Sequence, residues 1–209
     1  MSSAAHVEAT VAVDVWFDPA CPWTWTTTRW LVEQVVPQRE VVLRWHIMSL
    51  ALLNEGADVP PEYAERLEVA RRGVRLMAAA VQRHGEGALF PLYAAVGTRV
   101  HREGRKLDAD LAAEALAEAG LDTDLAGSLE DAGLDDVVRS SHEAGQATVG
   151  EKAGSPVLAF DGRGFFGPVM TPMPRGQEAL DLFEGLRLLA GTASFAEVKR
   201  ARSGPPDAG

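Results

Sequence analysis

An apolar strand that runs straight into the start of a helix is the feature that most constrains this fold. Residues 11–17 (VAVDVWF) have the pattern of a buried strand, and the dipeptide at 18–19 (DP) marks a break after it. A helix is predicted over 22–36, with a proline in its first turn, and a second strand over 41–48. This strand–helix–strand unit predicts a parallel pair joined by a right-handed crossover.

The centre of the chain has helical rather than strand patterning. Apolar residues recur at helical spacing between about residues 60 and 145, and glycines separate the segments. Strand patterning then returns, with Asp161-Gly162 as a hairpin turn and a final helix after Pro174. The helices are predicted over 62–83, 91–101, 108–119, 121–129 and 134–144, and the hairpin strands over 155–160 and 164–167.

This order predicts an α/β fold in which the first and last parts of the chain complete one sheet. The helical block is then an insertion between the second strand and the C-terminal β-hairpin. We place the N-terminal part at 11–58, the insertion at 59–146 and the C-terminal part at 147–202. Residues 203–209 are predicted to be a disordered tail from their composition.

Cys21 is the only cysteine, and it lies where the first strand ends and the first helix begins. Free backbone N–H groups and the helix dipole stabilise a thiolate at such a position, so we expect a lowered pKa. A dithiol redox motif would have a second cysteine at position 24, where this chain has Thr24. The pattern favours one-thiol chemistry. The alternative is a small buried hydrophobic residue.

Charge and composition exclude several functions. The net charge of −10 argues against nonspecific binding to nucleic acid or to an anionic membrane. One cysteine excludes an intrachain disulfide and a cysteine-rich zinc site, and the five histidines lack metal-ligand spacing, so no metal is expected. No secretory signal precedes the first strand, and we expect a cytoplasmic protein.

The chain contains five characteristic stretches, namely 15–23 (VWFDPACPW), 46–55 (HIMSLALLNE), 154–156 (GSP), 165–169 (FFGPV) and 174–176 (PRG). Together they resemble DsbA-like thioredoxin-fold proteins, and among them the actinobacterial mycothiol-dependent nitroreductase family. The resemblance covers residues 11–202, and the family pattern has cysteines at both ends of its active-site tetrapeptide. It implies a thioredoxin-like fold with a helical insertion and an oxidoreductase that uses mycothiol as a cosubstrate, with no tightly bound cofactor.

The resemblance and the residues together suggest a candidate site around Cys21 as nucleophile. The hydroxyl of Thr24 could donate to the thiolate or bond back to its own helix. The resemblance implies that Pro156 is cis and lies against the thiol, while the backbone of Ser155 pairs with substrate. An ordinary proline at the start of a strand is the alternative for Pro156.

Further residues are candidates for binding the substrate. Pro22 and Trp23 lie inside the active-site motif, and Trp23 is expected to form a wall of the substrate pocket. The resemblance suggests a polar contact for Asn54 and an approach to the pocket for His101. A turn role for Asn54 and a solvated helix end for His101 are the alternatives. Tyr63 is a candidate for lining the same cleft.

The sequence leaves more than one function open. In the favoured hypothesis, Cys21 exchanges with mycothiol or a related thiol, and the acceptor is a small disulfide, an electrophile or a nitro compound. Alternatively, Thr24 activates a noncovalently bound thiol, as hydroxyl residues do in kappa-class glutathione transferases and hydroxychromene-carboxylate isomerases. A non-catalytic binding protein is the third hypothesis. The expected partners are small molecules, and a homodimer is compatible with the sequence.

Overall fold

A four-stranded sheet forms the centre of the computed structural model, which describes residues 10–208. The strand order is β2-β1-β3-β4, with β1 parallel to β2 and antiparallel to β3, and β3 antiparallel to β4. The predicted parallel pair and C-terminal hairpin are therefore confirmed. The strands are β1 (Val11–Phe17), β2 (Val41–Ile47), β3 (Val157–Phe160) and β4 (Arg163–Phe166).

The helices lie close to where hydrophobic periodicity predicts them. Within the described part of the chain they are α1 (Pro22–Trp30), α2 (Leu50–Leu53), α3 (Pro61–His84), α4 (Leu89–Gly97), α5 (Ala109–Glu118), α6 (Asp135–Val149) and α7 (Gly176–Gly191). Single π-helical turns extend α1 over Leu31–Val35 and α4 over Thr98–Arg102. Thr123–Glu130 forms 3-10 turns instead of the predicted α-helix, and Gly127 in its middle has low helix propensity.

Helices cover both faces of the sheet, so β1 at its centre is almost fully buried. The larger hydrophobic core includes Phe17 and Ile47 together with residues of α3, α4 and α5. On the other side, Val13 and Val15 pack with Trp30 and with residues of α7. The predicted α/β fold is confirmed, and helices α2 to α6 lie between β2 and β3 in the chain. The boundaries predicted for its three parts stay predictions.

The predicted disorder at 203–209 does not hold for residues 203–208. The Ser203 hydroxyl donates to the carbonyl of Thr171, and the Thr26 hydroxyl of α1 donates to the carbonyl of Asp207. Composition indicates disorder because it measures how little apolar surface a segment can bury. It does not detect hydrogen-bond donors that the rest of the fold presents to the segment.

Candidate active site

The turn between β1 and α1 places Cys21 at the N-cap of the helix. Cys21 has an extended backbone, with φ −83° and ψ 113°, and its carbonyl accepts the N–H of Trp25 at 3.1 Å. Asp18 closes the turn from the other side. Its carbonyl accepts the Cys21 N–H at 3.0 Å, and its Oδ1 accepts the Ala20 N–H at 2.9 Å. Backbone and carboxylate contacts therefore fix the cysteine where the strand becomes a helix.

The loop before β3 lies against the cysteine sulfur. The thiol of Cys21 donates to the carbonyl oxygen of Ser155, with 3.4 Å between Sγ and the oxygen. The Ser155–Pro156 peptide bond is cis, and both residues are buried. The structure thus brings Cys21, Ser155 and Pro156 together, although 134 residues separate the first two in sequence.

The hydroxyl of Thr24 contacts Ser155 rather than its own helix. Thr24 Oγ1 lies 2.6 Å from Ser155 Oγ, and Ser155 Oγ also accepts the Asp18 N–H at 3.1 Å. By contrast, Thr26 and Thr27 donate to carbonyls one turn earlier on α1. Ser155 therefore connects both ends of the active-site turn to the loop before β3, through its side chain as well as its carbonyl.

Burial of Cys21 overturns the predicted lowering of its pKa. The residue is only 4% exposed, and desolvation raises the pKa of the thiol above its ordinary value. Hydrogen bonds from the Thr24 side chain and from the N–H groups of Thr24 and Trp23 act in the lowering direction, and the Asp18 carboxylate adds to the rise. The cost of burying a charge exceeds the stabilisation that the helix start supplies.

Asp18 is a buried acid next to the nucleophile that the sequence analysis treated only as a strand break. It has no exposed surface, and its Oδ2 accepts the Leu50 N–H at 2.7 Å. Burial raises the pKa of Asp18 to about 6, although hydrogen bonds from the N–H groups of Leu50 and Ala20 oppose the rise. A carboxylate directly after a buried strand and three residues before the cysteine was the available signal.

His101 reaches the active-site turn from the helical insertion. Its Nε2 lies 2.9 Å from the carbonyl oxygen of Pro19, and its ring stacks on Trp25 with 5.6 Å between centroids. Burial lowers the pKa of His101, which favours the neutral imidazole. The histidine therefore supports the turn before Cys21, and the solvated helix end considered as an alternative is wrong.

Within the described residues, the contacts of Asn54 and Tyr63 do not involve the sulfur of Cys21. The Asn54 side chain donates to the carbonyl of Leu50 at 2.8 Å and so closes the short helix α2. Tyr63 is 36% exposed near the beginning of α3. Among the hydrogen bonds and ring contacts found for residues 10–208, none joins Asn54 or Tyr63 to Cys21. Their substrate-binding roles stay predictions.

Pro22 and Trp23 form the outer surface of the motif. Pro22 is exposed in the first turn of α1, and Trp23 is half-buried. The guanidinium carbon of Arg202 lies 4.6 Å from the centre of the Trp23 ring, a cation–π arrangement. Trp23 was predicted to form a wall of the substrate pocket, and the Arg202 guanidinium covers one face of its ring.

The described residues also bear on metal chemistry and membrane insertion. Across residues 10–208, no cluster of three or more His, Cys, Asp or Glu side chains could hold a metal ion. In the same part of the chain, no helix is both long enough and apolar enough to cross a membrane. The groups that the structure places around Cys21 are its thiol, the hydroxyls of Thr24 and Ser155 and the buried carboxyl of Asp18.

Comparison with known proteins identifies the family. The model of the Rv2466c-like family, described as "Mycothiol-dependent nitroreductase Rv2466c", matches residues 20–200. The chain belongs to this family. A Mycobacterium tuberculosis relative, "Uncharacterized protein Rv2286c", is 31% identical over 193 residues, which cover 91% of this chain and 82% of the relative. The resemblance seen in the sequence motifs is thereby confirmed.

Solved structures of DsbA-like proteins share the fold of this Rv2466c-like chain. "Probable DsbA oxidoreductase SCO1869" from Streptomyces coelicolor has a TM-score of 0.60 at 19% identity, covering 92% of this chain and 94% of the other. The cytosolic disulfide reductase DsbM from Pseudomonas aeruginosa, solved with GSH, has a TM-score of 0.54 at 15% identity and coverages of 84% and 98%. These neighbours show the fold, and the family model identifies an oxidoreductase with a thiol-dependent redox function.

Proposed function

We propose that this protein is a cytoplasmic monothiol oxidoreductase in which Cys21 forms a mixed disulfide with mycothiol. The observation that carries the proposal is the position of Sγ, at the N-cap of α1 and 3.4 Å from the Ser155 carbonyl beside cis-Pro156. The dependence of the family on mycothiol supports the choice of thiol and the compartment. The similar DsbM structure, which contains GSH, supports a small thiol as partner.

Thiol–disulfide exchange at this site proceeds in two displacements. The Cys21 thiolate attacks one sulfur of a disulfide R–S–S–R′, which forms the Cys21–S–S–R bond and releases R′S⁻. Position 24 is a threonine, so the chain has no second cysteine to resolve that bond. An external thiolate therefore attacks the R sulfur, releases the Cys21 thiolate, and leaves a new low-molecular-weight disulfide.

The same cycle can reduce a nitro compound by two electrons. The Cys21 thiol and one mycothiol thiol together supply two electrons and two protons. They become a mixed disulfide while the nitro group becomes a nitroso group and one oxygen leaves as water. A second mycothiol then releases Cys21 and leaves mycothiol disulfide. One protein cysteine is sufficient because the external thiol is the other half of the reductant.

The raised pKa of Cys21 has a consequence for the lifetime of the mixed disulfide. A thiol of higher pKa is a stronger nucleophile once ionised, but it is a slower leaving group. Release of Cys21 from the adduct requires it to leave from a buried site that disfavours its thiolate. We therefore expect the mixed disulfide to persist long enough to be detected by intact-mass spectrometry.

Activation of a noncovalently bound thiol by Thr24 has less support. The Thr24 side chain has no exposed surface, and its hydroxyl is already engaged with Ser155 at 2.6 Å. A hydroxyl that activates an external thiol must contact that thiol directly. This alternative predicts that activity survives replacement of Cys21 by serine, whereas our proposal predicts its loss.

Intact-mass spectrometry tests the proposal directly. The reduced protein is incubated with mycothiol disulfide, and the expected result is one added mycothiol per chain, reversed by excess mycothiol. The Cys21→Ser variant is the matched control and should gain no mass. Glutathione disulfide in a parallel incubation measures the preference between thiols. An unmodified wild-type protein after prolonged incubation at alkaline pH would contradict the proposal.

A further inference from the structure

Residues 202–208, which we call the strap, lie along the face of α1 that starts beside Cys21. The Arg202 guanidinium carbon lies 4.6 Å from the centre of the Trp23 ring, and the buried Thr26 hydroxyl donates to the Asp207 carbonyl at 2.9 Å. Trp23 and Thr26 are three residues apart and so are neighbours on one helix face. The strap therefore follows the helix surface that begins two residues after the nucleophile.

The strap is also attached to the loop between β4 and α7. The Ser203 hydroxyl donates to the Thr171 carbonyl at 2.8 Å, and the Met173 N–H donates to Asp207 Oδ2 at 3.3 Å. The same loop contacts α1 directly through its cis-Pro168 carbonyl, which accepts the Thr27 hydroxyl at 2.7 Å. The strap thus lies across the junction between this loop and the active-site helix.

The far end of the strap reaches the indole of Trp25. Trp25 Nε1 donates to the Ala208 carbonyl at 3.2 Å, and the other side of this indole packs beside His101 of the insertion. The strap contacts are polar, and residues 202–205 are exposed. The net stabilisation from polar contacts of an exposed segment is small, and the conformational entropy lost on ordering the segment opposes it. The free energy required to detach the strap locally is therefore small.

We propose that the strap restricts the active site to small disulfides and excludes polypeptide substrates while it is docked. A peptide chain whose cysteine pairs with Cys21 would have to extend over Trp23, where Arg202 and the strap already lie. A small thiol needs only the space at the sulfur itself. This inference deepens the proposed function by naming its substrate class, and it rests on that function for the natural disulfide.

Chemical accessibility of Cys21 tests the strap without requiring enzymatic activity. Alkylation rate constants are measured for iodoacetamide, a small reagent, and for a maleimide that carries a long polyethylene glycol chain. The variants are Arg202→Ala and a chain that ends at Ala201. The matched control is Arg200→Ala, an exposed arginine two residues away. Thermal unfolding of each variant verifies that the fold is intact.

The deciding quantity is the rate constant for the bulky maleimide divided by the rate constant for iodoacetamide. Loss of one cation–π contact should raise this ratio about threefold in the Arg202→Ala variant. Removal of the whole strap should raise it about tenfold or more. The Arg200→Ala variant should match the wild-type protein. An unchanged ratio in the folded chain that ends at Ala201 would overturn the inference.

The two proposals fail in different ways. If the wild-type protein gains no mass from mycothiol disulfide but the strapless chain shows the raised ratio, the proposed thiol exchange fails and the strap barrier stands. If the mycothiol adduct forms but the ratio is unchanged, the exchange stands and the barrier fails. A disulfide-bonded peptide offered to both chains gives a second readout, with the adduct expected to form about tenfold faster on the strapless chain.

Discussion

The hydroxyl of Thr24 lies 2.6 Å from the hydroxyl of Ser155, and this contact joins the active-site helix to the loop before β3. Thr24 occupies the position where a dithiol motif has its second cysteine. The carbonyl oxygen of Ser155 also accepts a hydrogen bond from the Cys21 thiol. The residue that replaces a resolving cysteine is therefore part of the frame that holds the nucleophile.

Replacing Thr24 with valine should raise the pKa of Cys21 further, because the Thr24 hydrogen bond acts to lower it. The variant should also lose about 1 kcal/mol of unfolding free energy, since a buried hydrogen bond is removed. The pH dependence of iodoacetamide alkylation and urea unfolding measure the two effects. Thr28→Val, another buried threonine on α1, is the control and should change stability alone. A Cys21 pKa lower than in the wild-type protein would contradict this assignment.

Replacing Thr24 with cysteine should convert the site to dithiol chemistry. The new thiol stands one helical turn after Cys21, so it can attack the mixed disulfide from within the chain. We expect the stable mycothiol adduct of the wild-type protein to be replaced by a chain with an internal disulfide, which is two hydrogen atoms lighter than the reduced chain, and by released mycothiol. Intact mass before and after reduction distinguishes the two states. Persistence of the adduct would show that position 24 does not face the Cys21 sulfur.

The reactivity of Cys21 should rise steadily with pH. Because burial raises the pKa of the thiol, the thiolate fraction at pH 7 is small. The alkylation rate should therefore increase about tenfold per pH unit between pH 7 and pH 9. Samples quenched at successive times and analysed by intact-mass spectrometry give the rate constant for alkylation of Cys21. A plateau that begins below pH 8 would mean a lowered pKa and would restore the expectation from the sequence.

Asp18 should make the protein less stable as the pH rises through 6. Burial raises the pKa of Asp18 from its ordinary value of 3.8 to about 6 in the folded protein. Its stabilising contribution is thus complete below pH 3.8 and is lost as the pH passes 6, a difference of about 3 kcal/mol. The stability advantage of the wild-type protein over Asp18→Asn should shrink by most of this amount between pH 4 and pH 7.

Urea unfolding at several pH values measures that difference for Asp18→Asn. The exposed residue Asp58, replaced by asparagine, is the control for the loss of a surface carboxyl group. An offset of Asp18→Asn from the wild-type protein that is independent of pH would mean that the buried carboxyl ionises normally. The difference between variants cancels the titration of the other carboxyl groups, which both proteins share.

Close packing between α4 and α1 should make Gly97 intolerant of a side chain. A Cβ at this position would overlap the ring of Trp25. Because that indole is held between Tyr93 and His101, we expect Gly97→Ala to lose about 1–3 kcal/mol of unfolding free energy. Gly185→Ala in α7 is the matched control, since open space surrounds it, and it should be neutral or stabilising. Equal effects of the two substitutions would contradict this packing.

The location and the one-thiol character of the candidate site could be predicted from local sequence, but the pKa directions of its ionisable groups could not. The position of Cys21 follows from a strand pattern, a break and a helix-starting proline, all within a dozen residues. The pKa direction was predicted wrongly, because helix dipole effects are local whereas desolvation depends on packing from distant parts of the chain. The role of Asp18 was missed for the same reason, since its burial and its contact with Leu50 exist only in the fold.

By itself, the sequence determined the order of strands and helices, the parallel opening unit, the C-terminal hairpin and the one-thiol character of the site. These follow from periodicity, turn residues and residue identity, which act over short stretches of chain. Only the tertiary structure decided that Ser155 meets Cys21, that the sulfur is buried, and that Asp207 and Ala208 contact α1. Such contacts depend on which surfaces the folded layers bring together, and no local pattern encodes that geometry.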